Sequence, residues 1–316
     1  DLLLVASVYK EWADHGGGLG NYLAYGDFPM TSSNGSDDSD DLFLPQGIIL
    51  DKELSVVHRV DQQKITGYVM HSRFKHDGDN ASGYSSDEQT GPKYTGPELP
   101  CESLEISQGH WIKAPRYDDT PMEVGPLARM LIAYARGHER VKFWVDAFLT
   151  KLEAGPEVLF STLGRTVARG IETAVLAEKV GDWVDELAAS VGQGDSRIHE
   201  SRYWDPQTWP EETMGWGWTE APRGALCHWV RIKSGKIANY RCIVPSAWNA
   251  SPRDTKGQRG AYEAALLGTP VHDPRQPIEI LRTIHSFDPC MPCAVHVTDP
   301  GPPRDRARRR RVGGAR

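Results

Sequence analysis

The segment Asp288-Pro289-Cys290-Met291-Pro292-Cys293-Ala294-Val295-His296, close to the end of the 316-residue chain, constrains the fold more than any other feature. Two thiols three positions apart can present their sulfurs from one tight turn to a single metal or cluster, and an imidazole follows three residues on. A centre built from this motif needs more thiolates than the motif holds, so the fold must bring distant segments to it. Haem attachment is excluded, because Ala294 and Val295 separate Cys293 from His296. On spacing alone three readings stay open. One is a structural zinc completed by Cys227, His228 and Cys242, another a redox dithiol, and the third a less common metal centre.

The five cysteines (101, 227, 242, 290 and 293) form no evenly spaced framework in a chain of this size, so reduced or metal-bound thiols are expected rather than a disulfide scaffold. No stretch approaches 18 uninterrupted apolar residues, and no transmembrane helix is expected. Residues 297–316 carry seven Arg against Asp299 and Asp305, so the rest of the chain is more acidic than the total charge of −7. An acidic body argues against nucleic acid as a partner, and the Arg308–Arg311 run with its Pro and Gly neighbours reads as a disordered tail. The opening Asp1-Leu2-Leu3-Leu4-Val5-Ala6 lacks a basic region and an initiator Met, and reads as the middle of a longer protein.

The expected fold class is α+β, predominantly helical. Gly16-Gly17-Gly18-Leu19-Gly20 has no Gly-Lys-Ser/Thr after it, so close backbone approach is expected there rather than a phosphate cradle. The acidic stretch from Thr31 to Asp41 lacks the ligand pattern of a calcium loop. Short apolar runs at Gly47-Ile48-Ile49-Leu50 and Ser55-Val56-Val57 predict strands, and Lys75 to Pro100 reads as a long loop. Apolar residues at helical spacing predict one helical run from Met122 to about Leu152 and a second from about Gly164 to Val191, interrupted by Gly155-Pro156. A β-hairpin is expected over residues 225–245 around Ser234-Gly235, then short helices over Gly260–Leu267 and Ile278–Ser286. The expected division is a mixed region over 1–120, a helical core with hairpin and metal motif over 121–296, and a basic extension over 297–316.

Two further segments narrow the reading of the cysteine motif: Trp218-Thr219-Glu220-Ala221-Pro222-Arg223-Gly224-Ala225-Leu226-Cys227-His228-Trp229 and Arg241-Cys242-Ile243-Val244-Pro245-Ser246-Ala247-Trp248-Asn249-Ala250-Ser251-Pro252-Arg253-Asp254. With Asp-Pro-Cys-x-x-Cys-x-x-His they closely resemble the large subunit of nickel–iron hydrogenases of the respiratory uptake type. Lys113-Ala114-Pro115-Arg116-Tyr117, Met122-Glu123-Val124-Gly125-Pro126-Leu127-Ala128-Arg129 and Ser161-Thr162-Leu163-Gly164-Arg165-Thr166 agree, as do Glu11-Trp12-Ala13-Asp14 and Tyr22 to Pro29. The resemblance runs in order over almost all of residues 10–296.

The resemblance implies a large-subunit-like fold and a nickel–iron centre with carbon monoxide and two cyanides on iron. Cys290 is implied as a terminal nickel ligand and Cys293 as a nickel–iron bridge, soft thiolates that suit both metals. Arg223 is implied over the open coordination position, donating to a cyanide, with Pro222 beside it and Asp288 fixing its orientation. Ser246 would donate to the other cyanide, while Val244 and Pro245 wall the carbon monoxide. His296 and the carbonyl of Cys242 would bind magnesium. Taken singly, Arg223, Asp288 and Ser246 would read as an ion pair and a backbone-bonded hydroxyl. Cys227 and His228 read as core or subunit-interface residues.

The implied activity is heterolytic oxidation of dihydrogen, with electrons leaving through an iron–sulfur small subunit. The Arg-x-Cys-Gly-x-Cys motif that supplies the family's other two cysteines is not in this sequence, and the N-terminal portion of the fold is expected to be absent. Pro292 departs from the small residue usual between the cysteines. Implied further partners are the missing N-terminal half, a maturation endopeptidase cutting after His296 and a membrane cytochrome b. The implied location is the periplasmic face of the cell membrane, with the cytoplasm as alternative. A catalytically inactive remnant binding zinc through Cys290 and Cys293 is the competing reading.

Overall fold

Ser161 accepts a hydrogen bond from the amide of Gly164 at 3.0 Å, and this cap starts the longest helix, α4 (Thr162–Gly192). The computed structural model describes residues 2–30, 41–68, 80–82, 112–195, 199, 201–254 and 256–290. Leu163, Val167, Ile171 and Val175 recur every fourth position and bury the first half of α4. They pack with Ala6 of α1 (Leu2–Val8) and on α2 (Pro126–Ala135) and α3 (Glu139–Leu152), each buried aliphatic side chain contributing about 1.5–3 kcal/mol. The single run expected from Met122 to Leu152 is thus two helices. Gly137, at φ 77°, breaks it by taking a left-handed conformation that ends α2.

Among the described residues the strands form four small antiparallel sheets. β1 (Tyr22–Ala24) pairs with β4 (Gly47–Ile49), and β2 (Asp27–Pro29) with β3 (Leu42–Leu44). β5 (Ile65–Tyr68) lies between β6 (Asn80–Ser82) and β7 (Ala114–Tyr117). The second expected strand, Ser55-Val56-Val57, is irregular; only the neighbouring His58 bridges to Ile48, and Val56 is left exposed. Most of the expected loop from Lys75 to Pro100 lies outside the described residues, but β6 falls within it and is held by ladder bonds to β5.

The largest sheet has the order β10-β9-β8, with β8 (Glu212–Ala221), β9 (Gly224–Lys233) and β10 (Lys236–Ile243). The β9–β10 turn is the expected one, with Ser234 at φ 50° and Gly235 at φ 70°. Cys227 and Trp229 of β9 point into a second apolar cluster with Leu23, Tyr25, Ile48, Met122 and Trp248. Both clusters draw on residues from either side of position 120. Three short helices follow, α5 (Pro245–Asn249), α6 (Ala261–Ala265) and α7 (Ile278–His285). The architecture is α+β and helix-rich, as expected.

Candidate metal centre

Ala221 and Gly224 face each other at the closed end of the β8–β9 hairpin, so Pro222 and Arg223 form its tip. Gly224 is needed there: its φ is 128°, and a Cβ would fall 2.6 Å from the amide nitrogen of Gly125. On the other side of the tip stands Arg129 of α2, 3% exposed. Its Nε and Nη2 donate to the two oxygens of Glu172 on α4, and Nη1 donates to Glu220 Oε2 at 2.7 Å. Its remaining two protons go to the carbonyls of Ala221 and Pro222, both at 3.1 Å. All five donors are thereby committed. Burial pushes the Glu220 carboxyl up to about 7 against the pull of Arg129, and its second oxygen accepts the amide of Tyr25 at 2.6 Å.

A second buried cation, Arg165 of α4, donates from Nε and Nη2 to both oxygens of Glu123 at 2.7 and 2.8 Å and from Nη1 to the carbonyl of Gly16. The glycine run supplies this close approach, as expected: a Cβ on Gly18 would lie 2.6 Å from Arg165 Nη2. The same guanidinium lies 3.8 Å from the centre of the Phe287 ring. One turn along α4, Arg169 Nη1 donates to the carbonyl of Ser286 at 2.6 Å. These two contacts seat the end of α7. Asp288, at φ 55°, then turns the chain away from the helix towards Cys290.

Arg223 and Asp288 meet where these two supports converge. Arg223 Nε donates to the backbone carbonyl of Asp288 at 2.9 Å and lies 3.5 Å from its Oδ2. Both residues are half-exposed, and the terminal nitrogens of Arg223 make no hydrogen bond among the described residues. Pro222 is exposed beside it. Val244 caps α5 and is exposed, whereas Pro245 and Ser246 are buried in its first turn. Cys242 sits on β10 opposite His228. Cys290 is a free, half-buried thiol, while Cys293 and His296 lie outside the described residues.

The zinc completion weighed above is not favoured. Cys227 faces the core, and burial pushes its thiol up to about 12, so it stays protonated near neutrality. His228 and Cys242 point to the other face of the sheet, where the His228 ring bonds Tyr240 Oη. Among the described residues no three His, Cys, Asp or Glu side chains are set to hold a metal ion. The donors that remain fit one side of a soft-metal centre: the thiol of Cys290, beyond a guanidinium with two uncommitted nitrogens.

Several residues that hold this arrangement have no chemical signature in the sequence. Asn249 closes two bonds with the backbone of Val124, and Arg116 binds Asp254, Ser251 and the carbonyls of Pro115, Pro252 and Gln258. Arg116, Glu123 and Arg129 lie in segments that carried the resemblance, but nothing local marks what they touch.

Comparison with known proteins identifies the relatives of this chain. The family model for nickel-dependent hydrogenases matches residues 1–296. The chain is 45% identical over 312 residues to the uptake hydrogenase large subunit of Bradyrhizobium diazoefficiens, covering 95% of this chain and 52% of that one. It is 40% identical over 308 residues to the hydrogenase-1 large chain of Escherichia coli K12, covering 94% and 51%. A [NiFeSe]-hydrogenase structure from Dm. baculatum superposes with a TM-score of 0.74 at 33% identity, covering 93% of this chain and 55% of that one. The Ni-Fe-Se hydrogenase of D. vulgaris Hildenborough gives 0.73 at 31% identity, covering 93% and 56%. The chain spans about half the length of the curated relatives it matches. Family-model coverage and fold lead to one assignment: the chain belongs to the nickel-dependent hydrogenase family.

Proposed function

We propose that this chain is the C-terminal portion of the catalytic large subunit of an uptake nickel–iron hydrogenase, which oxidises dihydrogen and passes electrons to an iron–sulfur small subunit. The observation that carries the reading is the contrast between arginines. Arg116 and Arg129 commit every donor to protein acceptors, whereas among the described residues Arg223 commits Nε alone, which leaves both terminal nitrogens for a ligand. The names of the relatives, uptake hydrogenase large subunits, support the same reading.

In this proposal Cys290 and Cys293 supply two of the thiolates, and the other two come from an N-terminal half. When bound, the nickel–iron centre would supply the heterolytic splitting of dihydrogen. Arg223 would donate from its terminal nitrogens to a cyanide on iron. A guanidinium holds its proton too tightly to act as a free base, so its part is electrostatic. Asp288 fixes the direction of that fork through its carbonyl and carboxylate. Ser246 would donate to the second cyanide, and Val244, Pro245 and Pro222 would keep water from the pocket. His296 and the Cys242 carbonyl would hold magnesium. Trimming by an endopeptidase after His296, a membrane cytochrome b as electron acceptor and a periplasmic location at the membrane complete the proposal, on the strength of the sequence resemblance.

The test is composition. The assembled enzyme, purified with its small subunit, is expected to contain nickel and iron and to show infrared bands of iron-bound carbon monoxide and cyanide. Zinc alone, with neither band, would overturn the proposal and favour the inactive remnant.

A further inference from the structure

The cluster formed by Arg129, Glu172 and Glu220 touches no proposed ligand of the metal centre, yet it ends on the two carbonyls that precede Arg223. One turn of α2 grips the hairpin tip from both sides. Arg129 holds the carbonyls of Ala221 and Pro222, while Gly125 at the start of that turn packs against the backbone of Arg223 and Gly224. The turn is itself closed by the bond from the Arg129 amide to the Gly125 carbonyl at 3.0 Å. The anchor for this grip is α4, through Glu172, and α4 also anchors the partner of Arg223. Arg165 under Phe287 and Arg169 on the Ser286 carbonyl hold the segment that leads to Asp288. Positions 165, 169 and 172 follow a spacing of four and three, which places them on one face of a helix. One rigid element thus fixes both ends of the Arg223–Asp288 pair.

We propose that Arg129 is a positioning residue for Arg223, setting through the Ala221 and Pro222 carbonyls where its two uncommitted nitrogens point. The proposal rests on the reading of Arg223 given above. A lysine at 129 has three donors and no planar fork, so it cannot bind both carboxylates and both carbonyls at once. The hairpin tip would then lose its hold while the apolar core beneath it stays.

The test compares Arg129→Lys, Arg223→Lys and the double variant in the assembled enzyme, reading nickel content and the cyanide infrared bands. Arg129→Lys is expected to retain nickel and shift the bands in the direction produced by Arg223→Lys, with the double variant shifting them no further. Wild-type bands in Arg129→Lys beside shifted bands in Arg223→Lys would overturn the positioning role and leave the reading of Arg223 standing. Unshifted bands in Arg223→Lys would overturn both. Should Arg129→Lys fail to fold, Glu172→Gln, which weakens the anchor and keeps the arginine, is expected to give a smaller shift in the same direction. Loss of nickel from both variants, or unshifted bands in Glu172→Gln, would mark a purely structural part and contradict the proposal.

Discussion

Asn249 binds Val124 in both directions: its Oδ1 accepts the Val124 amide at 3.0 Å and its Nδ2 donates to the Val124 carbonyl at 2.9 Å. The bond pair ties α5, which carries Ser246, to the segment whose neighbours hold Arg165 and the hairpin tip. Both residues are buried, so neither bond has water as a substitute. Asn249→Asp removes the donor and buries a carboxylate facing a carbonyl. It is expected to destabilise the chain by about 2–4 kcal/mol, whereas an exposed asparagine would cost little. Denaturant unfolding checks this.

Two glycines with positive φ separate strain from close approach. Gly137, at φ 77°, has open space around its Cβ position, and Gly137→Ala is expected to cost about 1 kcal/mol from conformation alone. A Cβ added to Gly18, at φ 65°, would lie 2.6 Å from Arg165 Nη2 and 2.9 Å from Glu123 Oε2. Gly18→Ala must displace that buried ion pair as well, and is expected to cost at least about 3 kcal/mol. Equal thermal shifts for the two variants would contradict the assignment of the glycine run to close packing.

The local part of this fold was legible in the sequence. The period of α4 and the Ser234-Gly235 turn are decided within a few residues, so pattern and turn chemistry suffice. β8 was not read, because Gly215 and Gly217 interrupt its alternation and its first half is exposed; it is a strand through its ladder to β9. The site divides the same way. Arg223 and Asp288 stood out by motif, but Arg129 meets carbonyls some 90 residues away, and a sequence does not show which carbonyls a guanidinium will find.

Thiol chemistry should follow burial. Cys227 is fully buried with its thiol pushed up to about 12, while Cys242 is exposed on the outer face. A neutral alkylating agent at pH 8 is expected to modify Cys242 in the folded chain and Cys227 only after unfolding. Peptide mapping reads the order, and modification of Cys227 under native conditions would count against its core position.

Glu220 gives a pH signature. Its carboxyl titrates near 7 when folded, chiefly because of burial, against about 4.3 when unfolded. The folded chain therefore holds the proton more tightly, and this group lowers stability as pH rises from about 4.3 to about 7. Glu220→Gln keeps the neutral shape, so wild-type stability relative to the variant is expected to fall by on the order of 2–3 kcal/mol between pH 4 and pH 8. A difference that does not change with pH would show that burial does not raise the Glu220 carboxyl above its unfolded value.

The most direct measurement on the central claim is dihydrogen oxidation by Arg223→Lys in the assembled enzyme at equal nickel content. Loss of the forked, charge-assisted donor should remove about 1.5–3 kcal/mol of stabilisation, a fall in turnover of about ten- to a hundredfold with nickel retained. Wild-type turnover at full nickel occupancy would contradict the claim that the uncommitted nitrogens of Arg223 face the reacting centre.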